Sequence, residues 1–226
     1  ANAEQGKADE ILDYAIDLAE KNVKYNSADS LMQMQLAQAL NVAASLRAGR
    51  DDKFFNYSNR AEEAVNKSIA ASPGRVPIYF VKTQVYLTRG DKAKAIETLK
   101  YAISLNEEYP DGYCQMAKIL FFYKDEAGGY GAMDKCLDLD GASSLSPASV
   151  VRQAVNYYLE KKDMGKVLKL YERLSGLEEN NAEIWANLAN LYAQAGRKEE
   201  AKKAALKAAN LNPAMKETAE KFIQGL

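Results

Sequence analysis

Two cysteines, a glycine-rich stretch and two carboxylate clusters are the parts of this sequence that could do chemistry. The thiols are Cys114 and Cys136, and the chain has no histidine to complete a zinc site with them. We predict two buried or half-buried thiols, because free cysteine is among the most buried residue types. A disulfide is the alternative, and the spacing of the two residues does not decide between them.

The glycine-rich stretch and the carboxylates lack the partners that a ligand site would need. A phosphate-binding loop requires a lysine and a hydroxyl residue after its glycines, whereas Met133 and Asp134 follow the stretch AGGYG at 127–131. Acidic residues cluster at 106–111 and 137–141, and the stretch DLDGASSLSPAS at 138–149 has no closing glutamate of the kind that completes a calcium loop. We therefore interpret the glycines as a loosened helix start and the carboxylates as solvated turns.

Composition excludes several further classes of function. Histidine is the commonest general base and metal ligand, and its absence, with no serine or cysteine triad signature, predicts no enzyme activity, no metal ion and no cofactor. The 30 basic and 31 acidic residues are interleaved, so we expect no nucleic-acid partner. No apolar run approaches the ~20 residues that span a bilayer, so we expect no direct membrane insertion.

The elements that carry these residues follow a repeating pattern along the chain. Apolar residues recur within each unit at i, i+3, i+4 and i+7, which is typical of amphipathic helices. Gly90 and Gly196 interrupt the helical pattern at the same phase, where glycine can end a helix in the left-handed conformation. The pattern predicts four helix pairs, at 76–109, 110–143, 148–181 and 182–215.

A helix–turn–helix period of about 34 residues is typical of the tetratricopeptide repeat. The unit at 182–215 resembles that family at eight positions, although an alanine stands where the family prefers glycine. These positions are Trp185, Leu188, Ala189, Tyr192, Gly196, Ala201, Ala208 and Pro213. The unit at 76–109 resembles the family at Tyr79, Tyr86, Gly90, Ala95, Ala102 and Leu105.

The resemblance implies a fold and a domain organisation. We expect an all-α solenoid, a right-handed superhelix of antiparallel helix pairs with about 12 helices over residues 1–226. We also expect divergent helices at 1–75 and a capping helix at 214–226. Trp185 should be largely buried, and the unit at 110–142 should be the least stable because three of its glycines fall in its second helix, where glycine weakens a helix.

The resemblance also implies a binding surface. First helices line the concave groove of such a solenoid, and a groove of mixed apolar and polar residues suits an extended peptide or a helix. We predict a non-catalytic protein–protein interaction scaffold whose partner is a protein or peptide. The predicted contact residues are Phe80, Gln84, Leu87, Cys114, Lys118, Phe121, Arg152, Asn156 and Asn190.

A second interpretation places the chain in a membrane enzyme. The loose N-terminal unit, the long connection at 36–65 and the missing initial Met resemble the repeat regions that follow the membrane part of bacterial O-antigen ligase or polymerase proteins. The chain would then be the soluble C-terminal tail of a glycan ligase or polymerase and would recruit partners. The compartment is open on the sequence alone: cytoplasmic, or the extramembrane part of a bacterial membrane protein.

Overall fold

The computed structural model describes residues 2–47 and 50–226, with side chains from Glu10 onward in those ranges. The described residues form twelve α-helices, two short 3-10 helices and no strand, which confirms the predicted all-α fold class. The 3-10 helices are Gly141–Ser144 and Pro213–Met215. The α-helices are α1 (Asn2–Tyr25), α2 (Ser30–Ser45), α3 (Asp52–Ala71), α4 (Val76–Arg89), α5 (Lys92–Leu105), α6 (Pro110–Phe122), α7 (Glu126–Asp138), α8 (Ala148–Glu160), α9 (Met164–Leu177), α10 (Ala182–Gln194), α11 (Lys198–Leu211) and α12 (Lys216–Gln224).

Three of the turns inside helix pairs are built in the same way. An aspartate stands before the second helix and accepts a hydrogen bond from the backbone N–H three residues on. Asp91 accepts at 3.0 Å, Asp125 at 3.0 Å and Asp163 at 3.1 Å. These caps satisfy a backbone donor that would otherwise lack a partner. The short turns that they form require the two helices of each pair to run antiparallel.

Packing of Cα atoms divides the chain into two compact units, Ala1–Gly112 and Tyr113–Leu226. In the first unit, α2 and α3 approach closely through small residues that are fully buried, among them Ala37, Ala44 and Ala61. A minimal side chain at the contact lets two helix backbones come together. The continuous solenoid expected over residues 1–226 stays a prediction.

Helix α1 packs against the rest of the first unit through only one of its faces. Its Ile16 is buried with Leu40 of α2, whereas the opposite face carries four exposed apolar or aromatic side chains. These are Ile11, Tyr14, Leu18 and Tyr25.

The second unit is built around a core that α6 to α10 share. Val151, Leu170 and Leu174 are among its most deeply buried side chains. The Phe121 ring lies directly over Gly129 of α7, where an added Cβ would come within 2.5 Å of the ring atom Cδ1. The glycine-rich stretch is therefore part of a helix, and one of its glycines is required by a close contact.

The two cysteines are joined in a disulfide, so the prediction of two free thiols is wrong, although both residues are fully buried as expected. The Cα atoms of Cys114 and Cys136 are 4.9 Å apart, within the range that a disulfide requires. Residue type and spacing do not set this separation. It depends on how closely α6 and α7 pack, and Gly129 permits that approach.

Candidate partner-binding face

Three predicted contact residues of the second unit are exposed on first helices. Arg152 and Asn156 lie one turn apart on α8, and Asn190 occupies on α10 the position that corresponds to Asn156 in the preceding repeat. Lys118 on α6 is half-buried. These side chains offer hydrogen-bond donors and acceptors of the kind that read a peptide backbone.

The turn between α9 and α10 orients Arg152. Its guanidinium donates two hydrogen bonds to the Glu178 carboxylate, from Nη2 to Oε2 at 2.5 Å and from Nε to Oε1 at 3.3 Å. The Asn181 side chain donates to the same carboxylate at 3.0 Å. The Arg152 bonds, and then the Asn181 bond, hold the pKa of Glu178 below its usual value. The carboxylate therefore keeps its charge, and the guanidinium plane is fixed beside α8.

A cavity of about 320 Å³ lies between α10, α11 and α12. Its walls are mainly alanine methyl groups and apolar side chains, with the Asn190 amide and the Thr218 hydroxyl as polar groups. It is large enough for an apolar side chain of a bound molecule. The lining residues are Ala186, Ala189, Asn190, Ala205, Ala208, Ala214, Met215, Thr218, Ala219 and Phe222.

Sequence reasoning missed this cavity, but a comparison between repeats carries its signal. Ala189, Ala205 and Ala208 stand one repeat period after larger side chains. The corresponding residues of the preceding repeat are Val155, Tyr171 and Leu174. Loss of side-chain volume at three facing positions leaves space that the following helix, α12, fills only in part.

Two of the predicted contact residues cannot reach a partner, so these assignments are wrong. Cys114 is fully buried in the disulfide, and Phe121 is 8% exposed, with its ring over Gly129 and edge-on to Tyr130. The adjacent Phe122 is instead 76% exposed. Consecutive helical residues point about 100° apart, and the helix spacing did not show which phenylalanine faces the core.

The predicted residues of the first unit lie on α4. Gln84 is exposed, and Leu87 is half-buried. Phe80 is half-buried because its ring stacks on Tyr109, with 5.9 Å between ring centroids and 12° between ring planes. This surface of α4 therefore has one exposed polar side chain, Gln84, and two half-buried apolar side chains, Phe80 and Leu87.

Trp185, at the start of the last repeat, is half-buried, which is less than predicted. Its ring packs against the cluster that contains Leu188 and Ala205. The indole Nε1 donates to the Glu179 carbonyl oxygen at 2.8 Å. The indole N–H therefore has its hydrogen-bond partner in the turn that precedes α10.

The described residues offer few groups for other chemistry. Within residues 10–47 and 50–226, no cluster of three histidine, cysteine or acidic side chains could hold a metal ion. None of the helices in the described part of the chain has the length and apolar character needed to cross a membrane.

Comparison with known proteins identifies the repeats. The family model described as tetratricopeptide repeat matches residues 76–109 and 182–215. These are the two units in which the sequence resembles that family most clearly, so the resemblance is confirmed. This repeat family is generally non-enzymatic, and no catalytic family is indicated. A search of curated proteins gave no match to the chain.

Solved structures of similar fold include human IFIT1, described as a dimer with PPP-AAAA. That alignment has 15% identity and a TM-score of 0.53, and it covers 91% of this chain and 45% of IFIT1. YrrB, described as a TPR protein with an unusual peptide-binding site, aligns with 15% identity and a TM-score of 0.48 over 92% of this chain and 100% of YrrB. A thermophilic TPR protein of Thermus thermophilus aligns with 19% identity and a TM-score of 0.39 over 98% of this chain and 95% of that one. Two segments of the chain, residues 76–109 and 182–215, are therefore tetratricopeptide repeats.

Proposed function

We propose that the chain is a non-catalytic interaction scaffold that binds a peptide or an amphipathic helix on the first-helix face of its second unit. The observation that carries this proposal is the cavity between α10, α11 and α12. Its apolar walls would take one large apolar side chain of the partner, and Asn190 at its wall would hydrogen-bond to the partner's backbone.

The residues of α8 extend this surface along the unit. Arg152 is held by Glu178 and keeps its remaining N–H groups for an acceptor on the partner, while Asn156 lies one turn further along α8. Because Arg152 is half-exposed and already paired, its contribution is orientation and selectivity more than affinity. Gln84 and Leu87 on α4 form a separate candidate surface on the first unit.

Absence of catalysis is part of the proposal. The chain contains no histidine, and the half-buried Lys166 is held by the carboxylates of Asp134 and Asp138 at 2.6 and 3.3 Å. The two carboxylates neutralise the charge of the Lys166 ammonium group between α7 and α9, and the three groups are paired with one another. A scaffold role needs only the surfaces described above.

The test begins with peptides selected from a random displayed library on the wild-type chain. Ala186→Leu would then fill the cavity from its α10 wall, and we expect it to weaken binding of a selected peptide at least tenfold in fluorescence polarisation. The matched control is Ala93→Leu, the same change at an exposed position of α5. Asn190→Ala should weaken binding about threefold to tenfold, as expected for loss of one hydrogen bond.

Two results would contradict the proposal. The first is that no peptide of micromolar affinity is selected by a correctly folded chain. The second is that Ala186→Leu and Ala93→Leu weaken binding equally, which would mean that the cavity is not the binding site. If a joint change of Lys118 and Arg152 leaves affinity unchanged, the partner does not extend along α6 and α8.

A further inference from the structure

The disulfide closes the open end of the α6–α7 helix pair. Cys114 is the fifth residue of α6 and Cys136 lies near the end of α7, so the bond joins the two helix ends that are far from the turn. The turn at Lys124 and Asp125 already joins the other ends. The pair is therefore a covalent ring in which 22 positions separate the two cysteines.

The helix pair that carries this bond has weak local support. Helix α7 contains Gly128, Gly129 and Gly131, and glycine inside a helix favours the unfolded chain because it loses the most backbone freedom on folding. A Cβ at Gly129 would overlap the buried Phe121 ring, one at Gly128 would lie 2.8 Å from the flexible Asp125 carboxylate, and one at Gly131 would have nothing within 4 Å. The covalent link therefore joins a helix pair whose second helix has low helix propensity.

The rest of the second unit depends on α7 being in place. Met133 and Leu137 are fully buried members of its core. Asp134 accepts hydrogen bonds from the Tyr158 hydroxyl at 2.9 Å and from Lys166 Nζ at 2.6 Å, which connects α7 to α8 and α9. Release of α7 would expose apolar core and separate these partners.

The bond is shielded from solvent. Both cysteines are fully buried, and the backbone carbonyl oxygen of buried Gly141 lies 3.3 Å from one sulfur and 3.6 Å from the other. A reductant in solution would reach the sulfurs only after the helix pair opens. The shielding is typical of a lasting structural link and not of a rapidly cycling exposed pair.

We propose that oxidation locks the α6–α7 pair and that the chain acts in an oxidising compartment. An external disulfide, from oxidised glutathione or a thiol oxidoreductase, is the oxidant. One cysteine thiolate attacks it and releases a thiol, and the second cysteine displaces the remaining thiol from the mixed disulfide. Cys114 and Cys136 together lose two electrons and two protons, and the external disulfide becomes two thiols. This inference is independent of the proposed peptide binding.

The first test is urea unfolding of the chain, oxidised and then reduced by a phosphine, followed by far-ultraviolet circular dichroism and Trp185 fluorescence. Closing a loop of about 22 residues predicts that reduction raises the unfolding equilibrium constant about a hundredfold, or about 3 kcal/mol. The oxidised and reduced chains differ by only two hydrogen atoms. Reduction therefore removes no side-chain volume, and the difference in unfolding free energy reports the covalent link. The variant Cys114→Ala/Cys136→Ala is the control, because the phosphine should not change its unfolding curve. A change below threefold in the wild-type chain would overturn the lock.

The second test measures how fast the native disulfide is reduced. Thiols that appear in dithiothreitol are trapped with a maleimide and counted by mass spectrometry. We expect reduction to be at least a hundredfold slower than in the urea-unfolded chain and to accelerate in sub-denaturing urea, because opening must come first. Equal rates for the native and unfolded chains would show an exposed bond and overturn the shielded lock.

The third test concerns the compartment. The chain is produced in the bacterial periplasm and, separately, in the reducing cytosol, and thiols are trapped in acid at harvest. We expect no free thiol in the periplasmic protein. The cytosolic protein should have two free thiols and should be cut by a protease first within residues 110–142. Equal protease resistance of the two preparations would contradict the requirement for oxidation.

Discussion

Two lysines occupy a backbone conformation that glycine occupies in the clearer repeats. Lys124 and Lys162 have φ values of 63° and 59°, and they stand at the turn position where Gly90 and Gly196 have φ values of 81° and 75°. The left-handed conformation costs a non-glycine residue about 1–2 kcal/mol. The repeats at 110–143 and 148–181 are therefore weakened at this position by their own sequence.

Replacement of one of these lysines by glycine should stabilise the chain. We expect Lys162→Gly to raise the free energy of unfolding by about 0.5–1 kcal/mol, because the relief of strain exceeds glycine's entropy cost. Urea denaturation measures the effect. The neighbouring change Lys161→Gly is the control, since φ there is −75° and glycine should only destabilise. A loss of stability in both variants would contradict the strain argument.

Gly129 and Gly131 provide a matched pair on one helix. A Cβ at Gly129 would overlap the buried Phe121 ring, whereas nothing lies within 4 Å of a Cβ at Gly131. We expect Gly129→Ala to cost about 1–3 kcal/mol through overpacking, and Gly131→Ala to gain up to about 1 kcal/mol in helix propensity. Thermal and urea unfolding of the two variants would test this. Equal effects would mean that Phe121 moves away without cost.

At the scale of elements, hydroxyl groups of two tyrosines link neighbouring helices. Burial raises the pKa of Tyr158 well above its ordinary value, and its hydrogen bond to Asp134 raises it further. Burial, followed by the nearby Glu172 carboxylate, raises the pKa of Tyr192 to about 12. The folded state therefore holds both protons more tightly than the unfolded chain, whose tyrosines titrate near pH 10.

The consequence is a loss of stability at high pH. A raised folded-state pKa stabilises the fold fully below about pH 10 and progressively less as the pH rises toward about 12. We expect the free energy of unfolding to fall over that window, and to fall less steeply in Tyr192→Phe and in Tyr158→Phe. Tyr25→Phe is the control, because Tyr25 is 90% exposed. Unchanged slopes in both test variants would contradict the assignment.

At the scale of the whole molecule, the division between the two compact units falls inside α6. A fragment at 110–226 keeps the whole of α6, the disulfide and the shared core. A fragment at 123–226 loses Cys114, Ala117 and Phe121 from that core. We expect the longer fragment to fold cooperatively with a Trp185 emission like that of the full chain, and the shorter one to be largely unfolded. Equal circular dichroism spectra per residue would show that α6 is dispensable.

The repeats are expected to differ in stability along the chain. The sequence predicts the unit at 110–142 as the weakest, because three glycines lie in one helix. The disulfide offsets that weakness because it lowers the conformational entropy of the unfolded chain. Hydrogen exchange would therefore depend on oxidation state, and the prediction of a weak unit applies most directly to the reduced chain.

The helices and their period could be predicted from the linear pattern of residues. Helix formation, the aspartate caps and the glycine turns depend on residues within about four positions of one another, and such interactions are visible in a sequence. The same local pattern places Arg152, Asn156 and Asn190 at exposed positions of first helices, and their role in binding stays a prediction.

The contacts between helices could not be predicted in this way. Whether Cys114 meets Cys136, whether Phe121 or Phe122 faces the core, and whether three alanines leave a cavity all depend on the distance and rotation between separate helices. A helical period predicts which side of a helix a residue lies on, but it does not decide which of two adjacent residues faces the core. It also gives no distance between helices. Close packing at Gly129 and incomplete filling beside α12 set these distances, and with them the disulfide and the candidate binding cavity.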